Sequence, residues 1–301
     1  MSRRAHCVLL ACALLLAGCS GFSGGGPAGL GTEDEENDGE GGVADVTPAP
    51  VPSVEAGGRL APGLTAAGVE NPSALAVAHN AVLRNRSFTL RTNRTTTYAN
   101  GSFRGATTER VRVAPDDTAY GVTYRIEGVP VTSRVEEYPV VRSERWFDGQ
   151  RALVASTYTN ATTQYYRQSG ATGSLALRSF VDDGGRYARL LDGAETRVVG
   201  RFERDGTTYY QLAASNLSAV LAQIPWIESV QNTSLEAVVS SRGFVRAYRL
   251  RYRATTEDGS TLQVTESTRY TDVGVTTVSR PSWYEEARRA TNRTDATGEI
   301  R

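Results

Sequence analysis

From residue 87 onward the chain repeatedly places apolar residues at every second position. Tyr120, Val122, Tyr124 and Ile126 alternate with polar residues, and Phe244, Tyr248, Leu250 and Tyr252 share a parity that Arg249, Arg251 and Arg253 oppose. A two-residue period puts each set on one side of a strand. The pattern therefore predicts antiparallel strands with one apolar and one solvated face. Leu262, Val264 and Tyr270 have the same even parity as the strand before them. Paired residues must point to the same side, so the loop between these strands must be odd in length: Glu257-Asp258-Gly259, with Gly259 in a left-handed bulge position. That register sets Tyr252 opposite Val264 and Leu250 opposite Glu266.

Further strands are predicted at about 87–98, 104–113, 118–126, 143–147, 151–159, 164–167, 196–203, 207–214, 234–240 and 273–278. Pro130 and Pro139 make 129–141 irregular or an edge. Asn71-Pro72 opens a helix, with a capping residue followed by proline at the first helical position, and it runs to about Leu83. A helical interruption is expected at 172–192, a short helix at 217–224 and a closing helix at 282–290. The predicted fold class is α+β: a large curved antiparallel sheet covered by a few helices, over residues 70–290, with 291–301 a flexible tail.

The N-terminus carries a different signal. Met1-Ser2-Arg3-Arg4 is followed by the apolar run Val8–Ala17, about ten residues where a membrane span needs about 20. A positive start, a short apolar middle and small residues at its end describe an export signal over 1–18. Its ending, Leu16-Ala17-Gly18-Cys19, matches a lipobox, in which the thiolate of Cys19 accepts a lipid. The protein is therefore expected at the extracytoplasmic face of the cell membrane, anchored through Cys19. Ser2-Arg3-Arg4 also resembles the start of a twin-arginine signal, and the export route stays open. Residues 19–69 are rich in Gly, Pro, Ala and acid and are expected to form a flexible tether. Motif matches inside it, a nucleophile-elbow pattern at 21–25 and a dinucleotide-like glycine spacing at 24–29, lack the strand and helix that either needs. Seven of the ten asparagines stand in glycosylation sequons: Asn85, Asn93, Asn100, Asn160, Asn216, Asn232 and Asn292.

Composition narrows the chemistry. All 33 basic residues are arginine, and residues 70–301 hold 30 of them against 25 acids. They are spread along strands rather than clustered on one element, which argues against nucleic-acid binding. With residues 1–18 removed, Cys19 is the only cysteine and His79 the only histidine. This rules out an intrachain disulfide and a metal site built on Cys or His. It also leaves a nucleophile–base triad dependent on one histidine inside the first helix. Neither catalysis nor a cofactor is expected.

The lysine-free, Thr-rich domain behind Leu16-Ala17-Gly18-Cys19 and an acidic tether resembles the uncharacterised lipoproteins of haloarchaea. The order of elements over about 70–285, ending in Tyr270-Thr271-Asp272-Val273 and Pro281-Ser282-Trp283, also resembles the LolA-like carriers of lipoproteins and lipids. That resemblance implies a half-barrel of antiparallel strands with helices lying in its concave side. It further implies an interior that is either filled by side chains or open to a ligand. Candidate lining residues are Tyr120, Tyr124, Trp146, Phe244, Tyr248 and Tyr252; buried Tyr and Trp need partners for their polar tips, which suits a somewhat polar cavity. Two functions follow: a lipoprotein that binds or carries a lipid or other apolar ligand, or a cell-surface interaction or envelope-structure module with a packed core.

Overall fold

A computed structural model describes residues 58–115, 118–132, 139–168, 184–217, 221 and 226–297. The signal, Cys19 and most of the tether lie outside these residues, as do 169–183 and most of the predicted 217–224 helix. Helix α1 (Pro72–Leu83) begins as the sequence predicts: the Asn71 side chain accepts a hydrogen bond from the Ala74 N–H at 2.8 Å, with proline in the first turn. Helix α2 (Gly185–Leu191) is the described part of the helical interruption. Helix α3 (Tyr284–Thr297) closes the chain and extends into the segment expected to be a flexible tail.

Eleven strands form one antiparallel sheet: β4 (Phe88–Tyr98), β5 (Phe103–Val113), β6 (Tyr120–Gly128), β7 (Val140–Phe147), β8 (Ala152–Tyr158), β9 (Thr163–Arg167), β10 (Glu195–Arg204), β11 (Thr207–Ser215), β12 (Ile227–Ser240), β13 (Val245–Thr256) and β14 (Thr261–Thr271). Their order is β10-β11-β12-β13-β14-β4-β5-β6-β7-β8-β9. Two meanders are thus joined where the last strand meets the first, with Tyr270 opposite Leu90 and Glu266 opposite Arg94. The β13–β14 register is the one parity demands, Tyr252 against Val264 and Leu250 against Glu266, and Gly259 has φ +79°. Register shifts in the β4–β5, β7–β8, β10–β11 and β12–β13 pairs are bulges, which bend and twist strands and give the sheet its expected curvature.

Three expectations are corrected. Residues 273–278 do not form a strand: both sides of β14 are already paired, with β13 and β4, so the chain cannot add beside the strand it leaves. It turns at Asp272 (φ +53°) and Gly274 (φ +89°) and crosses the sheet instead. Second, the end of the predicted tether is ordered. Strands β1 (Arg59–Ala61), β2 (Leu64–Thr65) and β3 (Gly68–Val69) make a small sheet. It is sealed by the fully buried Leu64 and tied to β10 through Val69 N–H and Thr196 Oγ1 at 2.8 Å. Third, the helices do not all cover the same face. α1 and α2 pack on what is here the inner face, where Leu75, His79, Tyr187 and Leu190 meet Leu90, Val111, Tyr248, Leu250 and Tyr270 in the main core. α3 lies on the outer face of β7–β9, where Tyr284 and Ala287 close a second cluster with Trp146 and Leu153.

Candidate ligand-binding face

The registers lay out the inner face row by row. Tyr248, Thr268, Thr92, Glu109, Tyr124 and Ser143 form one row across β13, β14, β4, β5, β6 and β7. Leu250, Glu266, Arg94, Thr107 and Ile126 form the next. A charged pair therefore stands in the middle of a face that is apolar at the end covered by α1 and α2.

Glu266 is 1% exposed. One carboxylate oxygen accepts from the Arg94 guanidinium, Nε at 2.9 Å and a second, shorter bond from NH2. The other accepts from Tyr248 Oη at 2.9 Å and pairs with Arg186 at 2.7 Å. Burial pushes its pKa up, but Arg94 and Arg186 outweigh burial and hold the carboxyl below its usual range. Both carboxylate oxygens are fully engaged, so Glu266 works as the keystone that fixes two guanidiniums, not as a free base or nucleophile. Arg186 belongs to α2, so this ion pair also ties the helix to the sheet, beside an edge-on contact between Tyr187 and Tyr248 with centroids 5.4 Å apart. The Arg94 and Arg186 side chains stay 21% and 31% exposed.

Glu109 takes the opposite shift. Burial, reinforced by the negative Glu266, raises its pKa to about 7 despite the nearby Arg94, Arg186 and Arg145. The Tyr252 phenol is raised by burial in the same surroundings. At neutral pH this part of the face carries more guanidinium than carboxylate charge.

Next to this polar zone lies a sealed aromatic nest. His79 has no exposed surface; it stacks on Phe244 at 5.3 Å and meets Tyr187 and Tyr270 edge-on at 5.0 Å. Its Nδ1 accepts from the Val245 N–H at 3.2 Å. Burial lowers its pKa to about 4. A histidine so enclosed and uncharged serves as packing and as an acceptor for one strand amide.

Of the six residues expected to line a site, Tyr124, Tyr248 and Tyr252 gather around the ionic group. Tyr120 and Phe244 share the inner face but lie in the packed core, Tyr120 stacked on Phe147 at 5.2 Å. Trp146 is not with them. Phe147 pairs with Tyr120 and points inward, so its neighbour Trp146 points to the outer face, against Tyr284 at 4.9 Å. Arg94, Glu109, Arg186 and Glu266 were missed as site residues. For Arg94, Glu109 and Glu266 a signal existed, a charged residue at the inward parity of its strand. All seven sequon asparagines are exposed, as glycosylation would require.

Solved structures similar to this chain include two of low sequence identity. A LolA superfamily protein from Nitrosomonas europaea is 12% identical, over 69% of this chain and 95% of that one, with a TM-score of 0.24. A DUF1329 family protein from Desulfovibrio piger is 9% identical, over 71% and 95%, with a TM-score of 0.26. No curated protein sequence matches the chain. One family model does, over residues 4–287, and the chain accordingly belongs to that family of unknown function, DUF7537.

Proposed function

We propose that the protein is a non-catalytic, extracytoplasmic lipoprotein, anchored through Cys19, that binds or carries a lipid or other apolar ligand on the inner face of its sheet. The observation that carries the reading is the adjacency of two zones on that face. The packed aromatic core passes directly into a group of phenols and partly exposed arginine side chains, Tyr124, Tyr248, Tyr252, Arg94 and Arg186. An amphiphile needs both, an apolar wall for its body and fixed polar groups that orient its head. The excess of guanidinium over carboxylate favours a head that is polar or anionic.

Gentle extraction of the native protein followed by mass spectrometry tests this. The expected outcome is a lipid retained in near-stoichiometric amount, and less of it in Tyr124→Ala. Protein that emerges with no retained molecule, and takes none up from added lipid, would overturn the reading.

A second reading, a surface interaction module with a packed core, is favoured by α1. The helix carries no charged side chain, and its Val77 is 66% exposed, whereas a helix apolar all round is normally buried. The same extraction separates the two: this reading expects a protein partner, lost in Val77→Glu, in place of a lipid.

A further inference from the structure

On the outer face, away from the ligand surface just described, β5, β6 and β7 form the floor of a groove of about 350 Å³ walled by the crossing segment 278–283. Its rows follow from the register: Arg112, Gly121 and Trp146 in one, Arg110, Thr123 and Glu144 in the next. Arg142, Arg145 and Arg280 also line it, with Trp283 at the crossing segment. Five arginines thus line the groove with one carboxylate, Glu144, which pairs with Arg142 at 2.8 Å. Outside the groove Arg280 has Glu285 at 3.6 Å. Arg110 feels the attraction of Asp272 but also the repulsion of Arg112 and Arg91.

Two further observations turn a basic patch into a built site. The first is a set of buried donors. The indole N–H groups of Trp146 and Trp283 and the Nε–H groups of Arg110 and Arg142 are buried and make no hydrogen bond among the described residues. Trp146 itself is 8% exposed. Buried donors without acceptors are costly, and four around one groove call for an acceptor-rich occupant.

The second is Gly121. Its φ is not in the left-handed region, so its backbone does not require glycine. A Cβ there would meet only Trp146 Cδ1, at an unstrained 3.9 Å. Between Arg112 and Trp146 the missing side chain leaves the floor open beside the Trp146 indole.

We propose that this groove binds a phosphate group, either of a free small phosphate compound or of a lipid headgroup. Guanidinium forks and indole N–H donors match the acceptor oxygens of phosphate, and the volume falls in the range of small-ligand sites.

Two of the three tryptophans line the groove, so intrinsic fluorescence reports on it. The full-length protein is titrated with inorganic phosphate, with glycerol phosphate and with soluble dihexanoyl phosphatidylglycerol. The expected result is a saturable change with at least one of them, with apparent affinity reduced at least about tenfold in both Gly121→Leu, which fills the floor, and Arg112→Ala. A response to the free phosphates identifies a free compound; a response to the short-chain lipid alone identifies a headgroup. Melting curves establish that each variant is folded; Arg112→Ala, at a half-buried position, carries the test if Gly121→Leu does not fold. No saturable response to any of the three, or a response that persists within about twofold in the folded variants, would overturn the site.

Discussion

Glu266 holds Arg94, Arg186 and Tyr248 together on the inner face, and removing a charge partner from a buried group is worse than never having had the pair. Glu266→Gln keeps shape and volume but strands Arg94 and Arg186 against each other. It is expected to destabilise the fold by about 3–5 kcal/mol in denaturant unfolding. The double variant Glu266→Met with Arg94→Met should lose less than the sum of the two single losses; additive losses would mean the pair is not coupled. The two shifted groups beside it set the pH response. Glu109, raised from 4.5 to about 7, keeps a proton in the folded state that the unfolded chain releases, so its contribution makes stability fall as pH rises across that window. His79, lowered from 6.5 to about 4, acts oppositely: the unfolded chain takes up a proton that the folded state refuses, so stability rises from about 4 to 6.5. The slopes oppose each other where the windows overlap. Glu109→Gln should therefore expose a rise in stability with pH, and His79→Leu a fall, each of roughly 1–3 kcal/mol, read from urea midpoints at a series of pH values. Identical profiles in both variants would refute the assignment.

Among the elements, α3 stands apart in how it is held. It touches the sheet through Tyr284 and Ala287 on Trp146 and Leu153, with the Tyr165 hydroxyl donating to Glu286 at 2.9 Å. Ala287 has no exposed surface, so Ala287→Arg should lift the helix off. Its docking is worth about 2–3 kcal/mol by apolar burial. Amide exchange over 284–292 should then speed up while β12–β14 keep their protection; a uniform loss would show instead that the helix belongs to the sheet's own cooperative unit. The same contrast explains what was legible in advance. Strands with a clean two-residue period, such as 120–126 and 244–252, announce themselves locally, and the odd loop at Gly259 follows from parity alone. β1–β3 do not, because strands of two or three residues among Gly and Pro carry no period to detect. Residues 273–278 look like a strand from their own composition, and only the pairing of β14 on both sides excludes it. Arg94 and Glu109 are of residue types that by themselves suggest a solvated face. Their parity says otherwise, but what makes them a site is their meeting with Glu266 and Arg186 from distant strands and a helix. Trp146 is an aromatic like the inward ones, but its parity is opposite to that of Phe147, and parity decides its face.

At the scale of the whole molecule the proposals divide the labour between location and binding. A lipid on Cys19 would hold the protein at a membrane, while every group offered here for a ligand lies in the sheet domain, from β4 onward. A single acyl chain gives only marginal, reversible membrane binding, whereas the two or three chains of a lipoprotein anchor hold firmly. Loss of the acceptor thiol should therefore move the protein almost completely from the membrane to the soluble fraction. Cys19 is remote in sequence from every core residue named above, so the fold should not respond. Cys19→Ser is accordingly expected to fractionate as soluble with an unchanged melting temperature, and to lose the mass of the lipid at its N-terminus. Retention of Cys19→Ser on membranes at the wild-type level would remove the anchor from the proposal, and attachment would then have to come from the sheet domain. The phosphate groove is one surface that could supply it, so the combination of Cys19→Ser with Gly121→Leu distinguishes the cases. Release only in the double variant would assign membrane attachment to the groove, and release already in Cys19→Ser would assign it to the lipid.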